Sequence, residues 1–233
     1  MNIDSVQSLL VIAAHPDDEV LGCGATLARA AADGVKTHVK FLGEGISARF
    51  DADQYQSDEF KYQSEVRKRS AINALGYLNV REYEFGERLC GQFDTYPFLS
   101  IVKDIEEAIQ CVKPDVLITH NESEVNIDHR LTYEAVEVAT RPTREFVPKK
   151  IMSFEIPCSG MWNFSAVFKP NIFIDAEDFW DTKILAWSQY VDEAREYPFP
   201  RSNEGLTALA QYRGMQAGIK LAEAFRLERL VVC

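Results

Sequence analysis

Leu9-Leu10-Val11-Ile12-Ala13-Ala14 is an unbroken apolar run, and the chain passes from it directly into His15-Pro16-Asp17-Asp18-Glu19. A run of this length that ends at a turn residue reads as a strand buried on both faces. The polar cluster therefore falls at the carboxyl end of a strand, where open α/β sheets hold their ligands. His15 and Asp18 stand on either side of a proline-stiffened turn and can face one point. An imidazole beside a carboxylate suits zinc or another first-row divalent ion. A competing role for Asp17 and Asp18 is to meet the free N–H groups and partial positive charge of a helix N-terminus. One acid suffices for that, and here a histidine, a proline and a third acid accompany it.

Strand and helix patterns alternate along the rest of the chain. Leu21 to Ala32 is alanine-rich and stops at Asp33-Gly34, an ordinary helix exit. Thr37 to Leu42 reads as a second strand ending in Gly43-Glu44-Gly45, and Ile46 to Gln56 as a polar loop. A helix follows over Tyr62 to Leu75, a strand over Val80 to Phe85 and an amphipathic helix over Pro97 to Val112. Pro114 to Thr119 is a short buried strand that delivers a second polar cluster, His120 to His129, ahead of a helix over Leu131 to Thr140. Strand-like stretches occur at Lys150 to Ile156 and Asn171 to Asp175. Two helical patterns, Phe179 to Glu193 and Leu206 to Ala224, close the chain. With no repeat and no dividing linker, residues 1–233 are expected to form one α/β domain.

Composition narrows the partners. A net charge of −11 argues against a general nucleic-acid or anionic-membrane binder, because counterion release needs clustered Lys and Arg. Met1-Asn2-Ile3-Asp4 lacks a basic signal region and no apolar stretch reaches membrane-span length, so a cytoplasmic protein without a membrane anchor is expected. Cys23, Cys90, Cys111, Cys158 and Cys233 are scattered and form no C-x-x-C pair; they read as reduced, buried small hydrophobes.

Of the four histidines, His38 lies inside a strand pattern and reads as structural. His129 lies in Asn126-Ile127-Asp128-His129, after the second buried strand. If the two strands are neighbours, His15, Asp18 and His129 form a facial set of two imidazoles and a carboxylate with open positions. Such a set lowers the pKa of a bound water to roughly 7 and polarises a carbonyl. A carboxylate outside the ligand set must then move the proton, and Asp17 is placed for that. Amide hydrolysis is the natural reaction. Gly22-Cys23-Gly24 superficially matches a dinucleotide fingerprint, but Leu27 stands at the third glycine position and the adjacent acids repel a pyrophosphate.

At Ala14-His15-Pro16-Asp17-Asp18-Glu19, continuing through Val20-Leu21-Gly22-Cys23-Gly24-Ala25-Thr26-Leu27-Ala28, and at Asn126-Ile127-Asp128-His129, the sequence resembles the zinc-dependent N-deacetylases of the PIG-L/LmbE-like family. The likeness extends through Ala74-Leu75-Gly76, Phe93-Asp94-Thr95, Lys113-Pro114-Asp115 and Pro200-Arg201-Ser202. It implies a Rossmann-like α/β fold, a mostly parallel sheet with flanking helices, and zinc held by His15, Asp18 and His129, with Fe2+ or Co2+ as substitutes. It also implies Asp17 as general base, an N-acylated amino sugar as substrate, and leaves a homo-oligomer open. Many members carry His-x-Asp-His, and Asn126 replaces the first of these. Asn donates a hydrogen bond to an oxyanion but delivers no proton, so Asp17 carries both proton transfers or His120 assists. Asp128 either orients a ligand imidazole or caps the following helix.

For substrate contacts, Arg49 is the first candidate for a phosphate or hydroxyl and Arg201 the second, while Arg67 and Arg69 are expected on a solvated helix face. The reaction expected is removal of an N-acetyl group from an amino sugar. The alternatives are another acylamide, such as an N-formyl sugar, and a metal-dependent sugar-binding protein without turnover.

Overall fold

The apolar run becomes β1 (Ser8–Ala13), central in a seven-stranded sheet whose spatial order is β3-β2-β1-β4-β5-β7-β6. A computed structural model describes residues 6–232. Its other strands are β2 (Lys36–Gly43), β3 (Glu82–Arg88), β4 (Val116–His120), β5 (Lys150–Phe154), β6 (Ile172–Asp175) and β7 (Ala222–Leu230). The helices are α1 (Asp18–Ala32), α2 (Asp58–Tyr77), α3 (Phe98–Val112), α4 (Ile127–Ala139), α5 (Trp180–Trp187) and α6 (Asn203–Ala217). The first five strands in chain order run parallel; β7 pairs antiparallel with both β5 and β6.

Period-two alternation explains why β1 is apolar throughout. Leu9, Val11 and Ala13 enter one core with α1, α2 and α5, while Leu10, Ile12 and Ala14 enter the other with α3 and α4. Strand order reverses between β1 and β4, and the crevice at their carboxyl ends is where such a sheet places ligands. No helix among the described residues is long and apolar enough to cross a membrane.

Glycine chemistry in α1 is packing chemistry. A Cβ on Gly22 would lie 2.5 Å from the Phe154 ring, so only glycine lets α1 approach β5. The helix kinks at Cys23 (φ −152°, ψ 26°). Glu223 on β7 accepts from the N–H groups of Ala25 (2.9 Å) and Thr26 (2.7 Å), while Lys183 Nζ donates to Leu21 O at 2.9 Å. These bonds supply partners for backbone groups at the break.

Several expected boundaries shift. The α4 helix begins at Ile127, not Leu131, so His129 sits in its first turn rather than in the loop before it. The helix expected over Phe179 to Glu193 stops at Trp187, and the one expected to reach Ala224 ends at Ala217, where Gly218 turns left-handed at φ 74°. Beyond it lies β7, which was not expected. Cys23 and Cys158 are buried, but Cys90 is half-buried and Cys111 exposed, against the buried reading; all four are free thiols. Cys233 and the Met1-Asn2-Ile3-Asp4 segment lie outside the described residues.

Candidate metal centre

The turn after β1 is built by its own acids. Asp18 Oδ2 accepts from His15 N at 2.8 Å, and Glu19 Oε2 accepts from Asp17 N at 2.9 Å. Between them Asp17 sits at φ 126°, a region that residues with a Cβ rarely adopt and that tends to persist where function holds it. Gly45 follows at φ 81°; a Cβ there would meet His15 Cβ at 3.3 Å, so the second loop closes over the first only because the residue is glycine.

His15, Asp18 and His129 converge, with donor atoms all within 4.8 Å of one another. His15 Nδ1 lies 3.6 Å from Asp18 Oδ2, and His129 Nε2 lies 3.4 Å from Asp18 Oδ1. The remaining ring nitrogens face carboxylates: His15 Nε2 is 2.8 Å from Asp128 Oδ2, and His129 Nδ1 is 3.3 Å from Glu124 Oε2. This is how metal-ligating imidazoles are oriented. Asp18 Oδ1 is buried and has no hydrogen-bond partner, which a cation between the three side chains would remedy. The donor set fits a zinc-type ion. His15, Cys90 and Asp128 form a second close set, but there His15 Nε2 and Asp128 are already hydrogen bonded to each other.

Asp128 holds more than His15, since its carboxylate also accepts from Gly91 N (2.5 Å) and Phe93 N (3.0 Å). The helix cap is Asn126, whose Oδ1 accepts from Asp128 N at 2.9 Å. Among the described residues no hydrogen bond engages Asn126 Nδ2. His120 is fully buried, accepts from Ala14 N through Nε2 at 2.9 Å, and stacks on His129 with ring centroids 4.1 Å apart. His38 lies on β2, between Glu82 and Glu84 and away from this centre.

Charge separates the two adjacent aspartates. Burial pushes the Asp17 carboxyl up, and the charge of Asp18 adds to that against the pull of Arg201 and Arg67. Burial also works against the Asp18 carboxylate, but His129, His120 and His15 outweigh it and hold Asp18 well below the usual carboxylate range. The two carboxyl groups are thus driven apart, Asp17 toward holding a proton and Asp18 toward staying ionised. Burial, aided by His129, lowers the His120 pKa.

Arg67 corrects the sequence reading. It is 5% exposed, not solvated, because the segment after α5 covers it. Its Nη1 donates to Pro16 O (3.1 Å) and Asp17 Oδ2 (3.2 Å), and its Nη2 to Glu193. Arg69 is exposed as expected. Arg201 joins the same cluster through Asp17 Oδ2 at 3.2 Å, and Arg49 reaches it through Glu193. Two participants were missed from sequence, Glu124 and Glu193. Glu124 lies within the quoted polar cluster, five residues before His129, and that proximity was the available signal.

Comparisons with known proteins identify the family. The chain is 26% identical to the diacetylchitobiose deacetylase of Thermococcus kodakarensis, covering 96% of this chain and 84% of that one. Its fold resembles the N,N'-diacetylchitobiose deacetylase of Pyrococcus horikoshii, with a TM-score of 0.76 at 20% identity over 96% and 84% of the two chains. It equally resembles the 4-carboxy-2-hydroxymuconate hydratase GalB of Pseudomonas putida, with a TM-score of 0.74 at 23% identity over 97% and 98%. Architecture alone therefore does not select the chemistry. The model of the PIG-L family, GlcNAc-PI de-N-acetylase, matches residues 10–140, more than half of the sequence and both polar clusters, and the chain belongs to that family.

Proposed function

We propose that this chain is a metal-dependent hydrolase that removes the N-acetyl group from an N-acetylated amino sugar, and that residues 1–233 act as one domain. The observation that carries this reading is the Asp18 carboxylate, whose Oδ2 faces His15 Nδ1 and whose buried, partnerless Oδ1 faces His129 Nε2, with a further carboxylate behind each imidazole. The Thermococcus relative, a diacetylchitobiose deacetylase, supports the substrate class. One sheet running from Ser8 to Leu230 supports the single domain.

In this reading His15, Asp18 and His129 hold a zinc-type ion, which when bound polarises the amide carbonyl and acidifies a water. Asp17 takes the proton of the attacking water and returns it to the departing amine. Both guanidinium contacts fall on Asp17 Oδ2, which leaves Oδ1 for the proton. Asn126, with Oδ1 committed to the helix cap, offers Nδ2 to the developing oxyanion. His120 holds the His129 ring by stacking, and its Nε2 accepts from Ala14 N. Arg49 and Arg201 contact the sugar or its carrier.

The test is primary-amine release from N-acetylated sugars, free, phosphorylated and nucleotide-linked, with zinc and after chelation. Chelator-sensitive release from one class supports the reading and names the carrier. Absence of release from every member, with metal bound, overturns it.

A further inference from the structure

From Val191 to Pro198 the chain crosses the surface in turns, and every residue there is exposed except Glu193. The Glu193 side chain points inward and is 12% exposed. It is the hub of a cluster of guanidinium groups. Oε1 accepts from Arg49 Nη2 and Arg67 Nη2, and Oε2 from Arg201 Nη1 at 3.5 Å. Arg67 and Arg201 also share Asp17 Oδ2, each at 3.2 Å.

Three cations thus face two carboxylates, a local positive excess in a chain whose net charge is −11. Arg49 is not part of any buried scaffold. It is 44% exposed, and Glu193 is its one side-chain hydrogen-bond partner among the described residues. A strut meant only to neutralise Arg67 and Arg201 has no need of a third, solvent-facing guanidinium. A cluster of forked donors around one oxyanion is how proteins recognise phosphate and carboxylate groups. The occupying anion arrives on an otherwise exposed turn, so lifting it away uncovers few other groups.

We propose that Glu193 holds the place of an anionic group on the substrate, and that a phosphate or carboxylate displaces it from Arg49, Arg67 and Arg201. One carboxylate returns to water as one anionic group enters, so the three guanidinium groups keep an anionic partner. The inference rests on the reading above in that the cluster adjoins Asp17, and it places the anion beside the hydrolysed amide.

Inorganic phosphate is the probe, titrated calorimetrically into the zinc-saturated full chain, with malonate in parallel to separate phosphate from carboxylate. Glu193→Gln should bind the preferred anion about tenfold tighter than the unaltered protein, because a competing charge is gone. Arg49→Ala added to Glu193→Gln should abolish the gain. Equal affinity for both anions in the unaltered protein and Glu193→Gln overturns the proposal. So does a gain that survives Arg49→Ala, which puts the anion elsewhere. A second readout needs no substitution: the preferred anion should speed tryptic cleavage after the exposed Arg195 as the turn lifts, and an unchanged rate counts against displacement. Neither readout depends on amine release, so failure of the deacetylase reading and failure of this one are distinguishable.

Discussion

Asp128 Oδ2 accepts a hydrogen bond from His15 Nε2 at 2.8 Å across 113 residues of sequence, and so decides which nitrogen His15 can offer a metal. With Nε2 donating, the Nδ1 lone pair is left facing Asp18. Backbone N–H groups of Gly91 and Phe93 fix the carboxylate in turn. Asp128→Ala should weaken zinc binding about 10–100-fold, read by competition with a chromophoric chelator. Asp128→Asn keeps an acceptor oxygen and should lose less. Unaltered affinity in Asp128→Ala would remove the orienting role.

Replacing Asp17 with Asn separates proton transfer from metal binding. Asn tolerates positive φ better than most residues, so the backbone at φ 126° is little disturbed. Zinc content should stay at the unaltered level while kcat falls by about two to four orders of magnitude. Near-full turnover in Asp17→Asn would refute the assignment, and loss of metal would place Asp17 among the ligands.

The first strand and the turn after it were legible because their signals are local: an apolar run, a proline and clustered acids. The pairing of β1 with β4, which brings His129 to His15, was only a condition in the sequence reading, raised by two polar clusters at two strand ends and met by the structure. The last strand was not legible. Helix-forming residues lead up to Gly218, and along β7 the alternation is broken by a bulge, with Ile151 facing Arg229 but Met152 facing Leu227. Gly218 was the overlooked stop signal. Arg67 and Glu193 were missed for another reason. Their burial comes from a segment far along the chain folding over α2, and no periodicity within a helix records that.

Arg67 and Arg69 make a matched pair for testing that burial. Arg67→Ala leaves Asp17 and Glu193 short of a partner in a nearly closed site and should lower stability by about 3 kcal/mol. Arg69→Ala, on the exposed face, should stay within about 0.5 kcal/mol. Denaturant unfolding of both variants checks this. Equal, small effects would return Arg67 to the solvated face expected from sequence.

Glu19 gives the fold a pH dependence with a definite sign. It is fully buried beneath the turn, accepting from Asp17 N at 2.9 Å and bonded to the Tyr190 hydroxyl at 2.6 Å. Burial raises its pKa from 4.5 to about 8. A carboxyl raised on folding binds its proton more tightly in the native state. The stability it contributes is therefore fully present below 4.5 and is lost as pH rises through about 8. Glu19→Gln carries no such proton. Thermal unfolding of the two proteins over this range should show the unaltered chain losing ground to the Gln variant as pH rises, with the gap levelling off above the folded pKa. Parallel curves would mean that Glu19 ionises alike in the folded and unfolded chains, and that its burial is relieved by water beneath the Asp17 turn.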